Sequence, residues 1–195
     1  MIPFRLTLKL LDPAILPQYK GSTFRGGFGH AFKKVVCTIR DKTCEECLLK
    51  SKCIYSYVFE TPPPEDSQIL RKYEKAPHPF VIEPPLETKT TYKPDETLTF
   101  NLILIGKALD YLPYFIYTFE ELGRIGIGKG RGKYELQEVI CEGKQIYNSV
   151  DRQLRYSPMS NSLPLPSGER IEVRGGFNSS LINLNFITPN RIIVN

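Results

Sequence analysis

The residues most able to do chemistry lie in three short stretches. Cys37, Cys44, Cys47 and Cys53 are spaced C-x6-C-x2-C-x5-C. In a reducing compartment four thiolates suit tetrahedral zinc, which would staple a loop and perform no catalysis. A full zinc ribbon carries two CxxC knuckles and this segment has one, Cys44-Glu45-Glu46-Cys47, so free or partly disulfide-bonded cysteines stay open as the alternative. The fifth cysteine, Cys141, stands apart in an alternating apolar stretch and reads as a core residue.

The stretch Gly123-Arg124-Ile125-Gly126-Ile127-Gly128-Lys129-Gly130-Arg131-Gly132-Lys133 has four basic residues and no acid. It lacks the Gly-Lys-Ser/Thr of a Walker A loop, and it leaves a helix to enter a strand, the reverse of a dinucleotide fingerprint. A loop of this kind could follow a nucleic-acid backbone, with Arg124, Lys129, Arg131 and Lys133 as cations and Gly126, Gly128 and Gly130 letting phosphates approach. The alternative is a flexible hairpin with solvated charges. Of the two histidines, His30 has Lys33 and Lys34 three and four residues on, hence on neighbouring parts of one helix face, with Arg25 more than a turn earlier. That set could transfer a proton and stabilise a phosphate, or simply be a solvated face. His78, in Ala76-Pro77-His78-Pro79, reads as a packing or turn residue.

The elements that must position these groups follow from periodicity. Phe4 to Leu11 alternates apolar and polar residues, a half-buried strand with its even positions inward. Ser22 or Thr23 would cap a helix whose Phe24, Phe28, Phe32 and Val35 share a face, and the early Gly26 and Gly27 would leave its start open to another backbone. Short strands follow at Tyr55 to Glu60 and Phe80 to Glu83, then a longer one at Thr97 to Ile105. Ala108 to Leu122 reads as a helix tolerating Pro113 near its start, and Tyr134 to Glu142 as a strand. The order is β-α-β-β-α-β with an extra hairpin, an α+β, ferredoxin-like (RRM-like) domain over residues 1–145 with a cysteine-rich insertion after the first helix. Residues 146–195 read as a linker and the start of a truncated, β-rich second domain, with strands at Arg170 to Arg174, Leu181 to Phe186 and Arg191 to Val194.

Composition bounds the classes. With 195 residues, 41% hydrophobic and 24% charged, the chain is neither collagen-like, coiled coil nor wholly disordered. No apolar run suffices for a membrane span and no signal peptide opens the chain, so an intracellular, cytoplasmic protein is expected. The net charge of +5 leans toward a polyanionic partner.

Taken together, Gly21 to Phe32, the cysteines running into Tyr55-Ser56-Tyr57-Val58-Phe59-Glu60, Ala76 to Phe80 and Leu122 to Gly132 resemble the CRISPR precursor-RNA processing endoribonucleases of the RAMP superfamily, over about residues 1–142. Phe186 to Arg191 also looks like the opening of that family's second ferredoxin-like domain. The resemblance implies two RRM-like domains that bind CRISPR repeat RNA and cut it once per repeat without a metal ion. Attack of a ribose 2'-hydroxyl on the adjacent phosphate would leave 2',3'-cyclic phosphate and 5'-hydroxyl ends. It also implies His30 with Lys33 or Lys34 as the reacting groups, Tyr19 as a second candidate, and the glycine-rich loop with Arg25 against the RNA. The cysteine segment would hold a structural zinc. An inactive RAMP subunit holding guide RNA in a CRISPR effector complex is the alternative. The strands lack an RRM's stacking aromatics, so base stacking on the open sheet face is not expected.

Overall fold

A computed structural model describes residues 1–39, 43–61 and 76–156. The strands expected beyond residue 156 lie outside the described residues.

The alternation at the N-terminus becomes β1 (Ile2–Leu10), whose Phe4, Leu6, Leu8 and Leu10 are all buried. After the two-residue β2 (Ala14–Ile15) comes α1 (Gly21–Val36). Then follow β3 (Phe80–Glu83), β4 (Thr91–Tyr92), β5 (Thr97–Leu104), α2 (Leu112–Ile125), β6 (Tyr134–Cys141) and β7 (Lys144–Asn148). The main sheet runs β3-β5-β1-β6-β7, with every neighbour antiparallel. Without the added β7, β1 lies centrally between the third and fourth strands of the expected βαββαβ order. The domain is therefore α+β with an antiparallel sheet, compatible with the ferredoxin-like plan.

Both helices pack on one face of the sheet, and aromatic rings join the layers. Phe24 of α1 stacks on Phe100 of β5 with centroids 4.7 Å apart. Phe28 meets Phe115 and Phe119 of α2 at 5.2 and 4.8 Å and Phe80 of β3 at 5.6 Å. The 3.6-residue spacing of Phe24, Phe28 and Phe32 thus builds the core. On the opposite face β1 presents Pro3, Arg5, Thr7 and Lys9, and β5 presents Thr97, Thr99, Asn101 and Ile103, with no aromatic ring among them.

Four expectations need correction. Helix α1 begins at Gly21 with Lys20 as its N-cap, and neither Ser22 nor Thr23 caps it. The Lys20 carbonyl accepts the Phe24 N–H at 3.0 Å, which places Ser22 inside the first turn. Residues Ser56–Glu60 form a π-helical turn, not a strand. Its aromatics work at helical spacing, Tyr55 stacking on Phe59 at 5.2 Å, and Phe59 packs on Phe28 and Phe32 of α1. Residues Gly106–Tyr111 form a 3-10 turn and α2 starts only at Leu112, because Pro113 has no N–H and its ring would strike an earlier helical carbonyl. Finally, β7 crosses residue 145: it pairs with β6, and Leu154 beyond it is buried, so the sheet and its core continue past the change in sequence texture.

Candidate nucleic-acid interface

The glycine-rich stretch is built into the fold. Gly123, Arg124 and Ile125 belong to α2, and Arg124 is ion-paired with Glu121 one turn back. The remainder is a hairpin closed by an Ile127–Gly132 bridge and seated on β2, where the Lys129 N–H donates to the Ile15 carbonyl at 2.9 Å. Gly128 has φ +72° and lies so close to the Ile15 carbonyl oxygen that a Cβ would overlap it. Here glycine serves approach of the chain to itself, whereas Gly130, at φ +86° and with open space around it, is free to admit something else. Lys129, Arg131 and Lys133 are exposed.

The segment 14–20 carries this hairpin's support onward to α1. It is pinned at one end by pairing of Ala14 and Ile15 with Tyr92 and Thr91. At the other end Lys20 is fully buried, with Nζ donating to the Glu87 carbonyl at 2.9 Å and the Gln18 carbonyl at 3.3 Å, 5.7 Å from the Tyr92 ring centre. The Tyr92 hydroxyl donates to Glu87 Oε1 at 2.6 Å, and burial, then this bond to the carboxylate, pushes its pKa up. A buried ammonium with carbonyl partners is an anchor, and nothing in the spacing of Lys20 announced it.

Next to this anchor an open groove of about 480 Å3 is lined by Tyr19, Gly21, Ser22 and Arg25 from the start of α1 and by His78, Phe80, Val81 and Ile82 from β3 and its approach. Tyr19 is 70% exposed and its ring lies over Gly21. The Arg25 guanidinium sits over the Phe80 ring, 5.2 Å from its centre. The Leu122 side chain meets Gly27, so the hairpin that follows α2 lies at the same end of the helical layer as the start of α1. Of the two early glycines, Gly27 thus accommodates the Leu122 side chain and not another backbone, while Gly26 has open space around it; Gly29 accommodates Phe59.

The structure brings Tyr19 and Arg25 together and leaves His30 outside this groove. His30 is on the outer surface of α1, with Lys33 and Lys34 exposed on the next turn. Lys33 Nζ lies 5.3 Å from the Tyr55 ring centre. His78, which the sequence presents as a packing or turn residue, also lines this groove; its one signal toward the site was its place in Ala76 to Phe80, one of the four resembling stretches.

The cysteine segment follows α1 directly. Burial, followed by smaller effects that include Glu60, Cys37 and Cys53, raises the Cys44 thiol pKa, while Lys33 lowers it. The Cys37 thiol donates to the Ile39 carbonyl at 3.1 Å. Among the described residues no three His, Cys, Asp or Glu side chains are gathered so as to hold a metal ion, so the four thiols do not stand as a ready ligand set. Cys141 is buried in the core, as expected. Among the described residues no helix is long and apolar enough to cross a membrane.

Comparison with known proteins places the chain against one family model, a curated relative and solved structures. The family model described as AF_1859_N, N-terminal domain, matches residues 1–159. An uncharacterized protein of Archaeoglobus fulgidus is 31% identical over 147 residues, which cover 74% of this chain and 48% of that protein. The chain therefore spans about half the length of this curated relative. Among solved structures a Cas6 product complex aligns with TM-score 0.38 and 20% identity, over 71% of this chain and 39% of that one.

Proposed function

We propose that this chain, which belongs to the AF_1859_N N-terminal-domain family, binds CRISPR repeat RNA and takes part in its metal-independent cleavage. The observation that carries the reading is the placing of exposed Lys129, Arg131 and Lys133, on a hairpin fixed to β2, at the same end of the helical layer as the groove holding Tyr19 and Arg25. The residue-level resemblance to RAMP endoribonucleases supplies the substrate class.

The chemistry asks for little beyond such a surface. The 2'-oxygen attacks the adjacent phosphorus, the 5'-oxygen leaves, and cyclic phosphate and 5'-hydroxyl ends result. A base at the 2'-hydroxyl, an acid at the 5'-oxygen and positive charge on the phosphorane are required. Arg25, held over Phe80, is placed to meet a phosphate, and its planar guanidinium can bond two phosphate oxygens at once. The hairpin cations hold the RNA backbone alongside.

The test uses the intact gene product, repeat RNA and EDTA, with the product ends identified. Cyclic-phosphate ends in EDTA support the reading. Tight binding with no cutting overturns the enzymatic half and leaves a guide-RNA-holding subunit of an effector complex. The expected link into a second domain, beyond β7 and the buried Leu154, belongs to the proposal as well. A structural zinc on Cys37, Cys44, Cys47 and Cys53 belongs to it too, and requires the thiols to draw together. Native mass spectrometry checks it: bound zinc supports the staple, and a reduced, folded, unmetallated chain removes it.

A further inference from the structure

We infer that His78, not His30, is the histidine that moves a proton at this interface; the inference rests on the RNA-cleavage reading above. His78 lines the groove together with Tyr19, Ser22 and Arg25, whereas His30 lies outside it on the outer surface of α1. The Phe80 ring joins Arg25 and His78, with the Arg25 guanidinium 5.2 Å from its centre and the His78 ring centre 6.2 Å away.

The setting of His78 also fixes its chemistry. Nδ1 lies 3.1 Å from the Val58 carbonyl oxygen, which can only accept, so Nδ1 carries the hydrogen. In the neutral ring Nε2 is then the lone-pair nitrogen, the form a general base needs. Three restraints hold the ring in place: this hydrogen bond, the flanking Pro77 and Pro79, and packing on Phe59 and Phe80. A side chain half-buried, oriented by a backbone carbonyl and lining one groove with an arginine and a tyrosine is a candidate proton-transfer group.

In the step this assigns, the 2'-hydroxyl proton passes to His78 Nε2 as the O2'–P bond forms. The P–O5' bond breaks and the 5'-oxygen takes the Tyr19 phenolic proton, with Arg25 on the non-bridging oxygens. The imidazolium proton returns to the tyrosinate through solvent, so no proton or electron is gained or lost. Because the nucleophile is the 2'-oxygen, RNA is the substrate and DNA is inert.

The discriminating variant is His78→Asn. An asparagine amide can still donate to the Val58 carbonyl in place of Nδ1, but offers nothing at Nε2. A purely structural His78 therefore predicts near-normal cutting by this variant. The inference predicts a single-turnover rate lowered on the order of 100-fold or more, with repeat-RNA affinity and melting temperature close to wild type and the limb of the pH–rate profile that reports the base abolished. Wild-type cutting by His78→Asn together with loss in His30→Asn overturns the inference and leaves the cleavage reading standing. Binding without cutting by the wild-type protein overturns both. An independent readout uses repeat RNA carrying a 2'-deoxy nucleotide at the cut: its binding should shift the His78 imidazole NMR signals, and unmoved signals under saturating RNA overturn the placement.

Discussion

Replacing Gly128 by alanine tests whether the basic hairpin is a seated structural element or a loose loop. At φ +72° an alanine is strained by about 1 kcal/mol. Its methyl group would overlap the Ile15 carbonyl and come within 2.6 Å of Leu16 Cδ2, so the hairpin must lift from β2. Lifting breaks the Lys129 N–H to Ile15 carbonyl bond, worth about 1 kcal/mol. It also uncovers part of Leu16, which is 2% exposed, for about 1 kcal/mol more. The expected loss is about 3 kcal/mol, or about 6–12 °C in melting temperature for a domain of this size. Gly130→Ala is the matched control: it has a similar φ of +86° but no neighbour to strike, so only the strain of about 1 kcal/mol and a shift of about 2–4 °C are expected. Both variants keep every charge. Thermal melts followed by far-ultraviolet circular dichroism measure the difference, and hydrogen exchange of the Lys129 amide reports whether the hairpin lifted. Equal melting shifts with the Lys129 amide still protected in Gly128→Ala would refute the seating argument.

Further outcomes follow from other parts of the fold. Lys129→Ala with Arg131→Ala should weaken repeat-RNA binding and flatten the slope of log affinity against log salt by about 0.7 for each single-strand phosphate the variant no longer neutralises; an unchanged slope removes the hairpin from the interface. Lys20→Met should destabilise the protein by about 2 kcal/mol in urea unfolding, since two backbone carbonyls lose the buried, charged donor. Phe28→Ala, at the meeting of α1, α2 and β3, should cost about 3–5 kcal/mol by the same assay. Burial raises the phenol pKa of Tyr134, and burial followed by a carboxylate hydrogen bond raises those of Tyr92 and Tyr147. Each pKa is higher folded than unfolded, so the stability these groups contribute is intact below about pH 10 and declines above it. Absorbance at 295 nm should show them ionising together with unfolding; ionisation in the folded chain would contradict their burial.

The sequence by itself determined what one-dimensional periodicity encodes. Alternation over Phe4 to Leu11 and Thr97 to Ile105 can satisfy only a half-buried strand, and Phe24, Phe28 and Phe32 can share only a helix face, so the element order and core face were legible. The sequence also marked the charge and glycine content of the hairpin and the neighbourhood of Tyr19 and Arg25. It misread Tyr55 to Glu60 because an aromatic alternation has the same letters whether the rings pack across a sheet or stack along a π-turn. The packing of Phe59 against α1 settles which one forms. Tertiary structure alone placed His78 across a groove from Tyr19 and Arg25, buried Lys20 against the Glu87 carbonyl, and gave Gly128 its role against β2. Each of these depends on contacts between residues far apart in the chain, and such contacts exist only after the layers have packed.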